Sequence, residues 1–249
     1  NKHFPELLKF ESTAEMAASE LYKQIEPDVE RIMNAVVVEH LAGEVDESKL
    51  TAPIRALAWN IERGIRFDGI VEALKNHDGL KDKDLLLLTE LDYGMARSGN
   101  RFVAQEIARE LGLNYAFAPV YIPLQKGSGV ESDMAGENTT SIHGLAMLSR
   151  FPMKNVHAIP LPNGKDKMWG KEKRIGYLRA LVADIEHPAG YFRAVTVHLD
   201  AHCSRAHRRM QIKTILDHLD TLSPLPTIIG GDWNTTTFNS QSSTRAILG

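Results

Sequence analysis

The stretch Thr227-Ile228-Ile229-Gly230-Gly231-Asp232-Trp233-Asn234-Thr235 constrains this chain more than any other. A short apolar run after Pro226 gives way to two glycines and then to polar residues. A buried strand ending at the rim of a sheet has this form. If the strand continues through Asp232, its period of two puts Asp232 and Asn234 on one side and Trp233 on the other. A carboxylate beside an amide offers a metal ligand or general base, together with a neutral group that can hold a water or a phosphate oxygen. Gly230 and Gly231 leave space for a ligand to approach the backbone. By itself a Gly-Asp cluster also reads as a plain turn, so the remainder of the chain has to decide.

From Ala52 onward, short apolar strands alternate with amphipathic helices, which places the chain in the α/β class. Strands are expected over 54–61, 85–91, 144–149, 178–185 and 192–199, and helices over 67–76, 102–111 and 204–222. Ile212, Ile215, Leu216 and Leu219 form the expected apolar stripe of the last helix. The glycine-rich polar segment 127–140 reads as a mobile surface loop. Residues 1–50 differ. Ser12-Thr13-Ala14-Glu15 resembles a capping box, with Met16, Ala17, Leu21 and Ile25 on the face behind it. Pro27 opens a second helical pattern through Val29, Ile32, Met33, Val36 and Val37. Residues 44–51 are polar and read as a linker, so the expected division is a helical extension over 1–50 and a main domain over 51–249.

Composition excludes several classes. The formal charge of −3 gives no global attraction to nucleic acid or to an anionic membrane, and no apolar run reaches the ~18 residues of a membrane span. Cys203 is the only cysteine, so there is no internal disulfide framework. The chain begins at Asn1 rather than methionine. A signal segment would therefore be invisible, and a soluble protein of cytoplasmic, secreted or periplasmic location is equally compatible.

Four strand ends share an oddity: Asn60, Glu90, His198 with Asp200, and Asp232 with Asn234 each stand where an apolar run stops. Each has a dull explanation as a turn residue, a first solvated residue or a structural histidine. Active sites of open α/β sheets gather at strand ends, so the coincidence carries more than any member of it.

The order Trp59-Asn60-Ile61, Leu88-Thr89-Glu90-Leu91-Asp92, His143-Gly144-Leu145-Ala146-Met147-Leu148-Ser149-Arg150, Thr196-Val197-His198-Leu199 and Gly230-Gly231-Asp232-Trp233-Asn234 resembles the endonuclease/exonuclease/phosphatase superfamily. The resemblance covers about residues 54 to 240. It implies a four-layer α/β sandwich, with two mixed β-sheets face to face, helices outside, and a cleft at one end. It implies a phosphoester hydrolase using Mg²⁺ or Mn²⁺ as cofactor, since hard oxygen ligands suit these ions. Glu90 would be the metal ligand and Asn60 an amide ligand or its support. Asp232 would orient or deprotonate water, Asn234 would fix that water or a phosphate oxygen, and His198 would be an acid or a hydrogen-bond donor to the phosphoryl group. The family closes with a further strand and a Ser-Asp-His-type motif. None follows Asn234 before Gly249, and the expectation is a piece of a longer chain.

Weaker candidates for substrate contact are Arg97 or Arg101 on the loop after Glu90, His143 at the cleft or at a loop end, and Asp200 as a partner of His198 or a surface aspartate. Arg205, His207, Arg208, Arg209 and Lys213 form a basic run that either meets a polyanion or is a solvated face. The partner class is a phosphoester: nucleic acid, phospholipid head group or inositol phosphate. A noncatalytic phosphate- or nucleic-acid-binding module that keeps the fold is the competing reading.

Overall fold

The computed structural model describes residues 1–43 and 53–235. The expected linker over 44–51 and everything after Thr235 lie outside the described residues. Five strands pair in the order β1 (Val37–Glu39), β4 (Asn114–Pro123), β5 (Ile142–Ser149), β3 (Leu85–Tyr93) and β2 (Ala56–Arg63), with β7 (Arg174–Gly176) also pairing β4. A second sheet runs β10 (Thr227–Asp232), β9 (Gly190–His198), β8 (Arg179–His187) and β6 (Met153–Pro160). Both sheets are mixed: β2 runs parallel to β3 and β10 parallel to β9, and the other pairings are antiparallel.

Period-two alternation stacks the layers. Leu85 and Leu87 of β3 pack toward the second sheet with Met147, Ala180, Val182 and Ala194. Leu86 and Leu88 turn the other way, onto α4 (Phe67–Asn76) and α5 (Val103–Leu111), against Ile70, Leu74, Ala104 and Ile107. Each such leucine contributes about 1.5–3 kcal/mol by leaving water. On the far side of the second sheet lies α6 (Arg205–Leu219), which buries Ile215. The result is the four-layer α/β sandwich that the motif order implies.

Some boundaries depart from the sequence expectation. The stripe of α6 is narrower, because Leu216 is 46% exposed while Arg208 and Gln211 are buried. At the N-terminus, α1 (Phe4–Leu7) and α2 (Thr13–Ala18) precede α3 (Glu20–Asn34), which carries Pro27 inside it rather than beginning there. Ser19 starts α3, its hydroxyl accepting from the Tyr22 amide, and so separates Met16 from Leu21 and Ile25. The lost hydrogen bond at Pro27 is offset by burying Tyr22, Val29 and Met33 against Ile122, Met168 and Ile175. Val37 is not helical. The β-branched run Val36-Val37-Val38 favours an extended backbone, and Val37 sits opposite Phe117.

Candidate functional site

Irregular backbone collects at one end of the sandwich. Strands β2 and β3 shift register between Asn60 and Arg63, and β3 and β5 between Leu88 and Leu91. Glu62, Arg63, Glu90 and Asn234 are left-handed, with Glu90 at φ 56. Bulges re-aim side chains, and the one at Glu90 decides its direction. Strict alternation would send Glu90 after Leu86 and Leu88 into the helix layer. The bulge restores Leu91 to that layer and leaves Glu90 facing the cleft.

Asn60 lies on the sheet-facing side of β2 with Ala58. Its Nδ2 donates to Glu90 Oε1 and to Asp232 Oδ2, both at 3.0 Å. One amide therefore holds acids from β3 and β10, in different sheets. Asn60 Oδ1 accepts from the Glu62 amide, and the Nδ2 group clamps the two carboxylates. His198 Nε2 stands 3.7 Å from Asp232 Oδ2. A cavity of about 150 Å³ beside this group is lined by Glu90, His143, His198, Arg63, Lys167 and Arg174, among others. The two carboxylates form a hard-oxygen pair that fits Mg²⁺ or Mn²⁺, which need few protein carboxylates and keep several waters.

Burial pushes the Glu90 carboxyl up. The His143 imidazole, the Asn60 hydrogen bond, His198 and Arg63 outweigh it, and Glu90 ends below its ordinary value. Burial lowers the His198 imidazole against the pull of Glu90 and Asp232, so His198 is neutral at pH 7. A neutral imidazole offers one donor and one acceptor.

Asn234 departs from the expected strand geometry. Strand β10 ends at Asp232, and Asn234 turns left-handed instead of continuing the alternation. Its backbone amide donates to Asp232 Oδ1 and its Nδ2 to the Leu199 carbonyl. It pins the ends of β9 and β10 and fixes one oxygen of Asp232. The two glycines also differ from expectation. A Cβ on Gly230 would lie 2.8 Å from Leu87 Cδ1, and one on Gly231 would lie 2.0 Å from the Val197 carbonyl oxygen. Their space is filled by the packed sheets, not reserved for a ligand.

Arg97, a candidate for substrate contact, lines the same cavity but is 2% exposed and ion-paired with Asp92, Glu131 and Glu172. Arg101 pairs with Glu106 and stacks on Phe67. His143 does line the cleft, with Nδ1 2.9 Å from Asp92 Oδ1. Asp200 is neither a surface residue nor bonded to His198. It is buried, accepting from Lys167 Nζ at 3.0 Å and from the Gly164 and His202 amides. The basic run is not one face: Arg208 is buried on the Asp200 and Cys203 carbonyls, and Lys213 pairs with Asp217. Segment 127–140 is likewise tied down, through the ion pairs of Glu131 with Arg63 and Arg97.

Asp200, Cys203 and His207 bring ligand-type atoms within 4.8 Å of one another. The Lys167 ammonium already neutralises Asp200, and the Arg208 guanidinium lies 3.9 Å from Cys203 Sγ, so cationic charge there opposes a dication. Arg63, Asp92, Lys167, Glu172 and Arg174 also belong to the site or its supports and are not among the candidates read from sequence. Of these only Asp92, two residues after Glu90 and so on a comparable strand end, carried a readable signal.

Two buried carboxylates give a pH signature. For Asp92, burial is outweighed by hydrogen bonds from His143 and Arg97. For Asp200, burial is outweighed by Lys167 and the His202 and Gly164 amides. Both lie below the ordinary value. A folded pKa below the unfolded one means stability that is complete above the unfolded pKa of about 4 and is lost as pH falls through the folded value. The stabilising contribution of these two carboxylates to the urea midpoint is expected to be lost below pH 4. Asp200→Asn is expected to cost about 1–3 kcal/mol at pH 7 and to reduce the acid-dependent loss.

No helix among the described residues is long and apolar enough to cross a membrane. Among curated proteins, none matches this sequence. The fold is similar to that of an endonuclease/exonuclease/phosphatase from Beutenbergia cavernae DSM 12333, at 18% identity and a TM-score of 0.51, covering 78% of this chain and 52% of that one. It is also similar to the human Nocturnin catalytic domain, at 20% identity and a TM-score of 0.50, covering 83% of this chain and 70% of that one. The chain thus spans about half the length of the first of these structures. Residues 57–249 match the sequence pattern of one family, and on that match the chain belongs to the endonuclease/exonuclease/phosphatase family.

Proposed function

We propose that this chain is a divalent-metal-dependent phosphoester hydrolase. The observation that carries the reading is the Asn60 amide reaching Glu90 and Asp232 from three strands of two sheets, beside the His198 imidazole. Glu90 and Asp232 would hold the ion, which when bound supplies positive charge to offset the repulsion of the phosphoryl oxygens. The remaining work is positioning and charge complementarity. Asp232 has Oδ1 fixed by the Asn234 amide, and its Oδ2 is set to orient an attacking water or take its proton. His198, neutral at rest, donates a hydrogen bond to a phosphoryl oxygen. His143, whose Nδ1 is turned to Asp92, presents its other ring nitrogen to the same cavity. Lys167 and Arg174 supply cationic charge on the lining.

The test is hydrolysis of bis(p-nitrophenyl) phosphate with Mg²⁺ or Mn²⁺. Turnover is expected with either ion, lost in EDTA and restored by adding the metal back. Turnover that EDTA leaves intact would exclude the metal requirement. Phosphate binding with no turnover would favour the noncatalytic module. A plasmid-nicking assay run beside a phosphate-release screen separates nucleic acid from smaller phosphoesters.

A further inference from the structure

We propose that Arg97 is a positioning residue that sets the His143 imidazole and the cationic rim of the cleft through a single buried network; the proposal rests on the phosphoesterase reading of that cleft. Arg97 lies in a 3-10 turn, Ala96–Ser98, closed by left-handed Gly99, and it is buried. Its fork grips Asp92 twice, Nε to Oδ2 at 2.7 Å and Nη2 to Oδ1 at 3.0 Å. Asp92 Oδ1 is also the atom that His143 Nδ1 contacts at 2.9 Å. With Nδ1 turned to that carboxylate, Nε2 is the ring nitrogen left for the cavity. Arg97 thereby fixes the position of the carboxylate that orients a cavity-lining histidine.

The other end of the guanidinium faces outward. Nη1 donates to Glu172 Oε1 at 2.6 Å and to Glu131 Oε2 at 3.2 Å. These acids come from two separate segments, the turn preceding β7 and the glycine-rich stretch over 127–140. Each uses its second oxygen on a cation of the cavity lining. Glu131 Oε1 lies 2.9 Å from Arg63 Nη1, and Glu172 Oε2 lies 3.9 Å from Arg174 Nη1. The chain of contacts runs from His143 through Asp92 and Arg97 to both rim arginines. Lysine is a poor replacement, because a point charge with three donors cannot grip one carboxylate bidentately while bridging two more.

Arg97→Lys is the direct variant, and Glu131→Gln and Glu172→Gln loosen one rim contact each without unpairing Asp92. For bis(p-nitrophenyl) phosphate, Glu131→Gln and Glu172→Gln are expected to raise KM severalfold with kcat near wild type. Arg97→Lys is expected to lower kcat about 10–100-fold, the scale of a misplacement near 1 Å, and to raise KM as well. Two readouts do not depend on turnover. The downfield NMR resonance of the His143 Nδ1 proton is expected to persist in both glutamate variants and to shift or vanish in Arg97→Lys. Affinity for inorganic phosphate, by titration, is expected to weaken in all three. A wild-type chain with no turnover would remove the hydrolase reading, while the resonance and phosphate titrations would still decide the positioning role. A folded Arg97→Lys with an unchanged His143 resonance overturns the proposal, as do glutamate variants with unaltered KM and phosphate affinity. Should Arg97→Lys fail to fold, the two glutamate variants alone decide the rim half.

Discussion

Replacing Glu90 by glutamine or Asp232 by asparagine is expected to cut Mg²⁺-dependent hydrolysis 10²–10⁴-fold, the range for removing a positioned acid–base or electrostatic group. Each variant keeps the shape of the side chain and deletes its charge. Asn60 Nδ2 now bridges the two carboxylates, and its hydrogen bonds to the remaining acid survive either change. Two like charges sharing one amide repel each other when no cation lies between them. For Glu90 that repulsion is outweighed by His143, Asn60, His198 and Arg63, which hold its carboxyl below the ordinary value. The metal-free Glu90→Gln protein is therefore expected to melt at or below the wild-type temperature, and Asp232→Asn close to it. Metal sensitivity separates this from general damage. The rise in wild-type melting temperature on adding Mg²⁺ should shrink in both variants. Asp217→Asn, on an exposed ion pair with Lys213 along α6, is the control and should leave turnover unchanged. Undiminished hydrolysis in both Glu90→Gln and Asp232→Asn would take these acids out of the mechanism.

Much of this arrangement is legible in the sequence, for physical reasons that differ by element. Helix α4 and strand β9 announce themselves by periodicity, and β3 and β5 by short continuous apolar runs, Leu85 to Leu88 and Leu145 to Leu148. Strand β4 does not. All ten of its residues are buried, so it shows no alternation, and Pro119 argues against a central strand. The structure accommodates that proline at a register shift between Pro119 and Tyr121, where a ladder bond is missing anyway. The N-terminal valines fail similarly, since a three-residue edge strand is too short to outweigh the helical pattern before it. At the site, Asn60, Glu90, His198 and Asp232 are visible because polar residues at the ends of apolar runs need a reason. Which way Glu90 points is not visible, because it depends on a bulge. Nor is the fate of Arg97. A charge in a loop reads the same whether it meets solvent or three carboxylates, and the acids that enclose it come from positions 92, 131 and 172. No local pattern records that convergence.

The glycines of the segment that anchors the reading supply the largest stability effect. Gly231→Ala is expected to cost about 3 kcal/mol or more, beyond the 1–3 kcal/mol of an ordinary strained residue, because two penalties coincide. Gly231 sits at φ 134, a region essentially closed to residues with a Cβ. An added Cβ would also fall 2.0 Å from the carbonyl oxygen of Val197, its register partner on β9, where a backbone atom of a central strand has nowhere to move. Gly230→Ala meets side-chain carbons instead, Leu87 Cδ1 at 2.8 Å and Ala58 Cβ at 3.2 Å. Those can yield by small rotations, at the 1–3 kcal/mol typical of overpacking. Urea unfolding should rank Gly231→Ala below Gly230→Ala and both below the wild type. Turnover should follow the same order, because Asp232 is the next residue and is carried by the same strand. This differs from Asp232→Asn, in which turnover collapses at nearly constant stability. A Gly231→Ala protein as stable as Gly230→Ala would mean that the close approach of β10 to β9 is not what the second glycine is for.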